Sequence, residues 1–130
     1  MWADNPYDRF SPISDALGKV SNAYIASGAS RVYGFTVFSS NASSQFVLMF
    51  DASSLPADNA VPLMAFPISA SANVGLYYGA MGRVFNRGFI LCTSSTATTK
   101  TLNATADCLF DVQYDQLGGV PLNPDAQGGQ

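Results

Sequence analysis

Histidine and glutamate are missing altogether from this 130-residue chain, and charge of either sign is sparse. Without histidine the commonest general base is gone, and so is the usual partner of a serine or cysteine nucleophile. Without glutamate every acid is an aspartate, a residue of turns and loops rather than of helix surfaces, which argues against helices. Charged residues make up 12% of the chain, about half of the roughly 25% usual in soluble domains. Solubility therefore rests on Ser, Thr, Asn and Gln. The six cations, Arg9, Lys19, Arg31, Arg83, Arg87 and Lys100, are scattered, and with a net charge of −3 they leave no basic footprint for nucleic acid. No apolar run reaches membrane-span length, so no membrane partner is expected. The opening MWADNPYDRF lacks the pattern of a secretory signal, which points to synthesis and use in the cytoplasm until release. On that reading the sequons at Asn41 and Asn103 are accidental.

What the chain does have is strand-like. Runs rich in Val, Phe, Tyr, Ile and Thr recur between turn clusters: VSNAYIA, RVYGFTVF, SQFVLMF, VPLMAFPI, NVGLYYG, GFILCTS and DCLFDVQYD. This spacing predicts one all-β domain, an antiparallel β-sandwich of jelly-roll-like form, over residues 19–115. Residues 1–18, with Pro6, Pro12, Gly18 and isolated aromatics, read as an extended N-terminal arm. Residues 116–130, rich in Gly, Pro and Gln, read as a flexible C-terminal tail.

Two runs carry more specific expectations. DCLFDVQYD alternates, with Cys108, Phe110, Val112 and Tyr114 on one face and Asp107, Asp111, Gln113 and Asp115 on the other, as in a half-buried strand. Phe46 to Phe50 is apolar at every position, as in a strand covered on both faces. One face of a sandwich sheet meets the core, so the other needs a cover, either a second subunit or the arm. Val47 and Met49 are the interface candidates of that strand; otherwise they lie exposed or under a loop. Trp2, Tyr7 and Phe10 are the arm's candidate anchors, on a neighbour or on an edge of their own sandwich. Arg83 and Arg87 are candidates for pairing with acidic groups of a partner or of the same chain.

The two cysteines allow one geometric idea. A hairpin of GFILCTS and DCLFDVQYD centred near Lys100 would set Cys92 opposite Cys108 and Ile90 opposite Phe110, all facing inward and close enough for a disulfide. In a reducing compartment the expected state is two buried thiols, with oxidation open after release. Two cysteines without histidine do not complete a zinc site. Asp51, Asp58, Asp107 and Asp111 are the residues a divalent ion would need, but turn formation and a solvated strand face account for them more simply. No cofactor and no catalytic activity are expected.

FDASSLPADNAVPLMAFPI, then GRVFNRGFILCTSSTATTKTL, then DCLFDVQYD, together resemble small virion proteins of tailed bacteriophages, among them head decoration (cement) proteins. The resemblance covers about residues 31–115 and is carried by structural turns rather than by chemistry. It implies a β-sandwich, often a homotrimer, seated on the outer surface of the virion and partnered by the major capsid protein. A tail or fibre component, or a glycan-binding recognition module using Tyr77, Tyr78 and Phe85, is the alternative. An enzyme is the third.

Overall fold

The computed structural model describes the backbone of residues 13–16 and all of residues 21–117. The described residues form nine strands and no helix, so no helix long and apolar enough to cross a membrane is found among them. In chain order they are β1 Ile13–Ala16, β2 Ala23–Ser27, β3 Ser30–Ser39, β4 Gln45–Asp51, β5 Met64–Ile68, β6 Asn73–Tyr77, β7 Arg83–Phe85, β8 Gly88–Ser94 and β9 Cys108–Gln116. Each of the seven apolar runs overlaps one strand. The two additions are β7, only three residues long, and β1.

The strands build two antiparallel sheets. In sheet A the order is β1-β9-β3-β6, with β7 also pairing β3; in sheet B it is β2-β8-β4-β5. Strand β1 falls inside the segment expected to be arm. Its backbone pairs with β9, Ile13 facing Tyr114 and Ala16 facing Asp111, so part of that segment belongs to the sheet. The rest of the arm, including Trp2, Tyr7 and Phe10, lies outside the described residues. So do tail residues 118–130, whereas Gln116 closes β9 and the Leu117 amide bonds the Ala29 carbonyl.

The core lies between the sheets. Sheet A contributes Val32, Phe35, Val37, Phe85, Phe110 and Val112, and sheet B contributes Tyr24, Val47, Met49, Ile68, Phe89 and Leu91. Phe89 of sheet B meets two rings of sheet A there, 4.9 Å from Phe85 and 5.7 Å from Phe35 between ring centroids. Period-two alternation delivers these residues to one side of each strand. In β3 the alternation breaks at Tyr33, where a register shift between Val32 and Gly34 inserts an extra residue against β9. The Tyr33 hydroxyl donates to Asp115 Oδ2 at 2.7 Å.

A second apolar layer explains FVLMF. Leu48 and Phe50 of β4 point away from the core, together with Ile90 and Cys92 of β8. They are covered by Ala52, Leu55 and Ala60 of the β4–β5 connection and by Leu102 of the β8–β9 connection. Both connections are tied to each other: Asn59 N–H donates to the Lys100 carbonyl and Lys100 N–H to the Ala60 carbonyl, each at 2.8 Å. Lys100, only 3% exposed, places its ammonium 2.6 Å from Asp58 Oδ1, which also accepts the Leu102 amide. The Lys100 hydrogen bond, then the Leu102 amide, hold the Asp58 carboxyl below its usual range against desolvation. Thus the chain's own loops cover the second face, and β8 is buried at every position.

Candidate functional surfaces

The interface candidates that fall among the described residues have different surroundings. Val47 and Met49 are fully buried between the sheets of a single chain, so they offer nothing to a second subunit. The strand's outward residues are instead Phe46, Leu48 and Phe50, with Leu48 and Phe50 buried under the loops and Phe46 half-buried beside them. Arg83 is exposed, with its guanidinium carbon 5.3 Å from the centroid of Phe85. Arg87 is exposed in the β7–β8 turn, where its backbone amide donates to Asp51 Oδ1 at 2.8 Å. Neither arginine forms an ion pair among the described residues.

The hairpin expected for the cysteines does not form. β8 and β9 belong to different sheets, so Cys92 faces Ala23 and Leu48 while Cys108 faces Ser39. Cys108 points into the core, as does Phe110, but Cys92 and Ile90 point outward beneath the loops. Both thiols are free and buried. Desolvation pushes the Cys92 thiol up to about 11 and the Cys108 thiol up to about 12. Near neutral pH the native protein should therefore leave both unreacted toward iodoacetamide, and both should react in denaturant. Rapid labelling of either thiol without denaturant would contradict this burial. The unfolded chain releases these protons first, from about pH 9, so their contribution to stability is complete below that pH and fades as pH climbs toward 11 to 12.

The four aspartates stand apart, each with its own surroundings. Asp51 accepts the amides of Asn86, Arg87 and Gly88 and shapes the β7–β8 turn. Asp58 pairs with Lys100. Asp107 accepts from Asn41 Nδ2 at 2.7 Å, Thr105 Oγ1 at 2.9 Å and Gln45 Nε2 at 3.2 Å. Desolvation pushes that carboxyl up, but the bonds from Gln45, Thr105, Cys108 and Asn41 together outweigh it and hold it low. Asp111 is exposed on sheet A. No group of three or more possible metal-ligating side chains converges among the described residues. The network around buried Gln45 was not foreseen from the sequence; this side chain also donates to Ser39 Oγ at 3.0 Å and accepts from Asn103. Its members come from separate turns, and no local spacing marks them.

Two surfaces remain. The outward face of sheet B is apolar beyond the loops that cover its middle: Ile25 on edge strand β2 is 48% exposed, and Val61 and Leu63 beside β5 are 75% and 49% exposed. The outward face of sheet A is mixed and carries an open concavity of about 340 Å³, lined by Gly34, Phe35, Thr36, Gly75, Leu76, Tyr77, Asp111 and Gln113. Of the three aromatics considered for glycan recognition only Tyr77 lies there. Phe85 is buried in the core, and the half-buried Tyr78 directs its hydroxyl to Met49 Sδ at 3.4 Å.

No protein-family model, no curated protein and no solved structure matches this chain.

Proposed function

We propose that this protein is a structural component of a tailed-phage virion: a decoration protein that forms a homotrimer and binds the major capsid protein on the outer surface of the assembled head. The observation that carries the reading is the apolar outward face of sheet B, whose margins at Ile25, Val61 and Leu63 stay exposed on a chain with only 12% charged residues. Large exposed apolar groups on a weakly charged surface favour association. Such a surface gains avidity when it meets many symmetry-related copies of its partner.

The strand orders support a jelly-roll form. β1 pairs with β9, β2 with β8, β3 with β6 and β4 with β5, each joining an early strand to a later one, as when a long hairpin is rolled into two sheets. Jelly rolls serve in viral capsids and in lectins, so this support is by analogy of fold. The resemblance of residues 31–115 to phage head proteins points to the first of these uses.

Light scattering on the full-length protein tests the reading, together with a variant lacking residues 1–12, which keeps β1. A trimer that persists on dilution is expected, and Val61→Lys with Leu63→Lys should shift it toward monomer. Assembled shells, but not free coat subunits, should retain the protein in a sedimentation assay. A monomer at all concentrations that sediments with neither would sink the proposal.

A further inference from the structure

The concavity on sheet A lies on the face opposite the apolar margins of sheet B and concerns a different ligand. Strand register explains how it arises. Across β9, β3 and β6 one row reads Gln113, Gly34, Tyr77, and the next reads Asp111, Thr36, Gly75. Each row thus holds one glycine, and the two glycines sit on a diagonal. With no side chain at Gly34, Tyr77 and Gln113 face each other across two strand spacings, roughly 10 Å. Gly75 precedes Tyr77 by two positions on the same face, which leaves backbone beside the ring. Neither glycine tolerates a side chain easily: a Cβ at Gly75 would lie 2.9 Å from the Phe35 carbonyl oxygen, and one at Gly34 would lie 3.0 Å from that of Leu76.

The walls are chemically selective. Tyr77 is 73% exposed, and its ring is the large apolar surface of the site. Thr36, Asp111 and Gln113 are exposed, and no hydrogen bond engages their side chains among the described residues. A carboxylate accepts only, whereas an amide and a hydroxyl donate and accept. The lining therefore combines one flat aromatic face with acceptors and donors set apart from it. This combination suits a ligand with an apolar face on one side and closely spaced hydroxyls on its rim. A carboxylate without any cation in the lining disfavours anionic ligands.

We propose that the Tyr77 concavity binds a neutral saccharide. A pyranose ring stacks its C–H face on Tyr77, the Asp111 carboxylate accepts from a pair of sugar hydroxyls, and Gln113 and Thr36 complete the hydrogen bonding over the floor at Gly34 and Gly75. The site is shallow and pre-formed, so affinity of a single site is weak and rises when several copies act on one glycan.

The test is an amide NMR titration of the full-length protein with millimolar maltotriose, cellotriose, chitotriose and lactose, and with sialyllactose as the anionic counterpart. At least one neutral sugar should shift the amides of Gly34, Gly75, Tyr77 and Asp111. Tyr77→Ala should weaken that binding about tenfold or more, as expected for loss of an aromatic stacking surface. Tyr77→Phe should retain most of it, and Asp111→Asn should weaken it. Because Tyr77 projects into solvent, unchanged core amide shifts in Tyr77→Ala will show that the fold is intact. Absence of shifts with every neutral sugar, shifts centred elsewhere, binding undiminished in Tyr77→Ala, or a preference for sialyllactose would each overturn the proposal. None of these outcomes depends on the oligomeric state, so failure here is separable from failure of the assembly reading.

Discussion

Phe89→Ala is expected to remove about 3–5 kcal/mol of folding stability, lowering the thermal midpoint by roughly 10–20 °C. The ring is fully buried at the point where the sheets meet, edge-on to Phe85 at an interplanar angle of 70° and tilted against Phe35. Those neighbours come from sheet A, while Phe89 stands on β8, one of the two inner strands of sheet B, paired with Ala26 and Asp51. Truncation therefore opens a cavity that two hydrogen-bonded sheets cannot close by local collapse. Phe35 and Phe66, themselves in an edge contact at 5.6 Å, would lose part of their support. Urea denaturation of the variant is the measurement. A loss under about 1 kcal/mol would mean that the core relaxes around the gap and that the packing at Phe89 is not limiting.

A second large effect is expected from a smaller change. Gly88→Ala should destabilise by about 2–4 kcal/mol, because the added methyl meets backbone on two sides. A Cβ at this position would lie 2.5 Å from the Ala52 carbonyl oxygen and 2.7 Å from that of Ala26, and the residue has a φ of +154°. Neither carbonyl can swing aside as a side chain would. The surrounding backbone is also committed: the Gly88 carbonyl accepts the Ala52 amide, and the Arg87 carbonyl accepts the Gly28 amide. To fit the methyl, β8 would have to separate from β2 or from β4. Gly79→Ala is the comparison, since that glycine has a φ of +89° but a Cβ there would meet nothing within 4 Å. It should cost about 1–2 kcal/mol, the backbone strain alone. Equal losses for the two variants would show that conformation, rather than close approach, governs Gly88.

The contrast between FVLMF and the cysteine pair shows where local pattern stops informing. An unbroken apolar strand announces that both faces are covered, and both are. Pattern carries no label for the cover, and the physical answer is two loops locked by the Lys100–Asp58 contact, with β4's core-facing side turned to the other sheet. For the cysteines, adjacency in sequence suggested a hairpin. The 13 residues from Ser95 to Asp107 instead carry the chain from sheet B to sheet A, past the apolar layer that Leu102 helps to cover. Local spacing therefore favoured the wrong pairing.

The glycines of the sheet A concavity were equally silent as a pair. Gly34 and Gly75 are 41 positions apart, and only the pairing of β3 with β6 and β9 sets their open spaces beside Tyr77 and Asp111.

The class of structure was legible residue by residue: β-branched and aromatic runs between turns, aspartate in place of glutamate, and the inward set Cys108, Phe110, Val112 and Tyr114 on the last strand. These are properties of a strand and its immediate turns, and period-two alternation encodes them locally. Which sheet each strand joins, what covers the outer side of β4, and which exposed residues share a surface came from the folded chain as a whole. Those outcomes depend on pairings between distant segments, such as β1 with β9 and β2 with β8, whose stability comes from burying both sheets at once and is written in no single stretch of the chain.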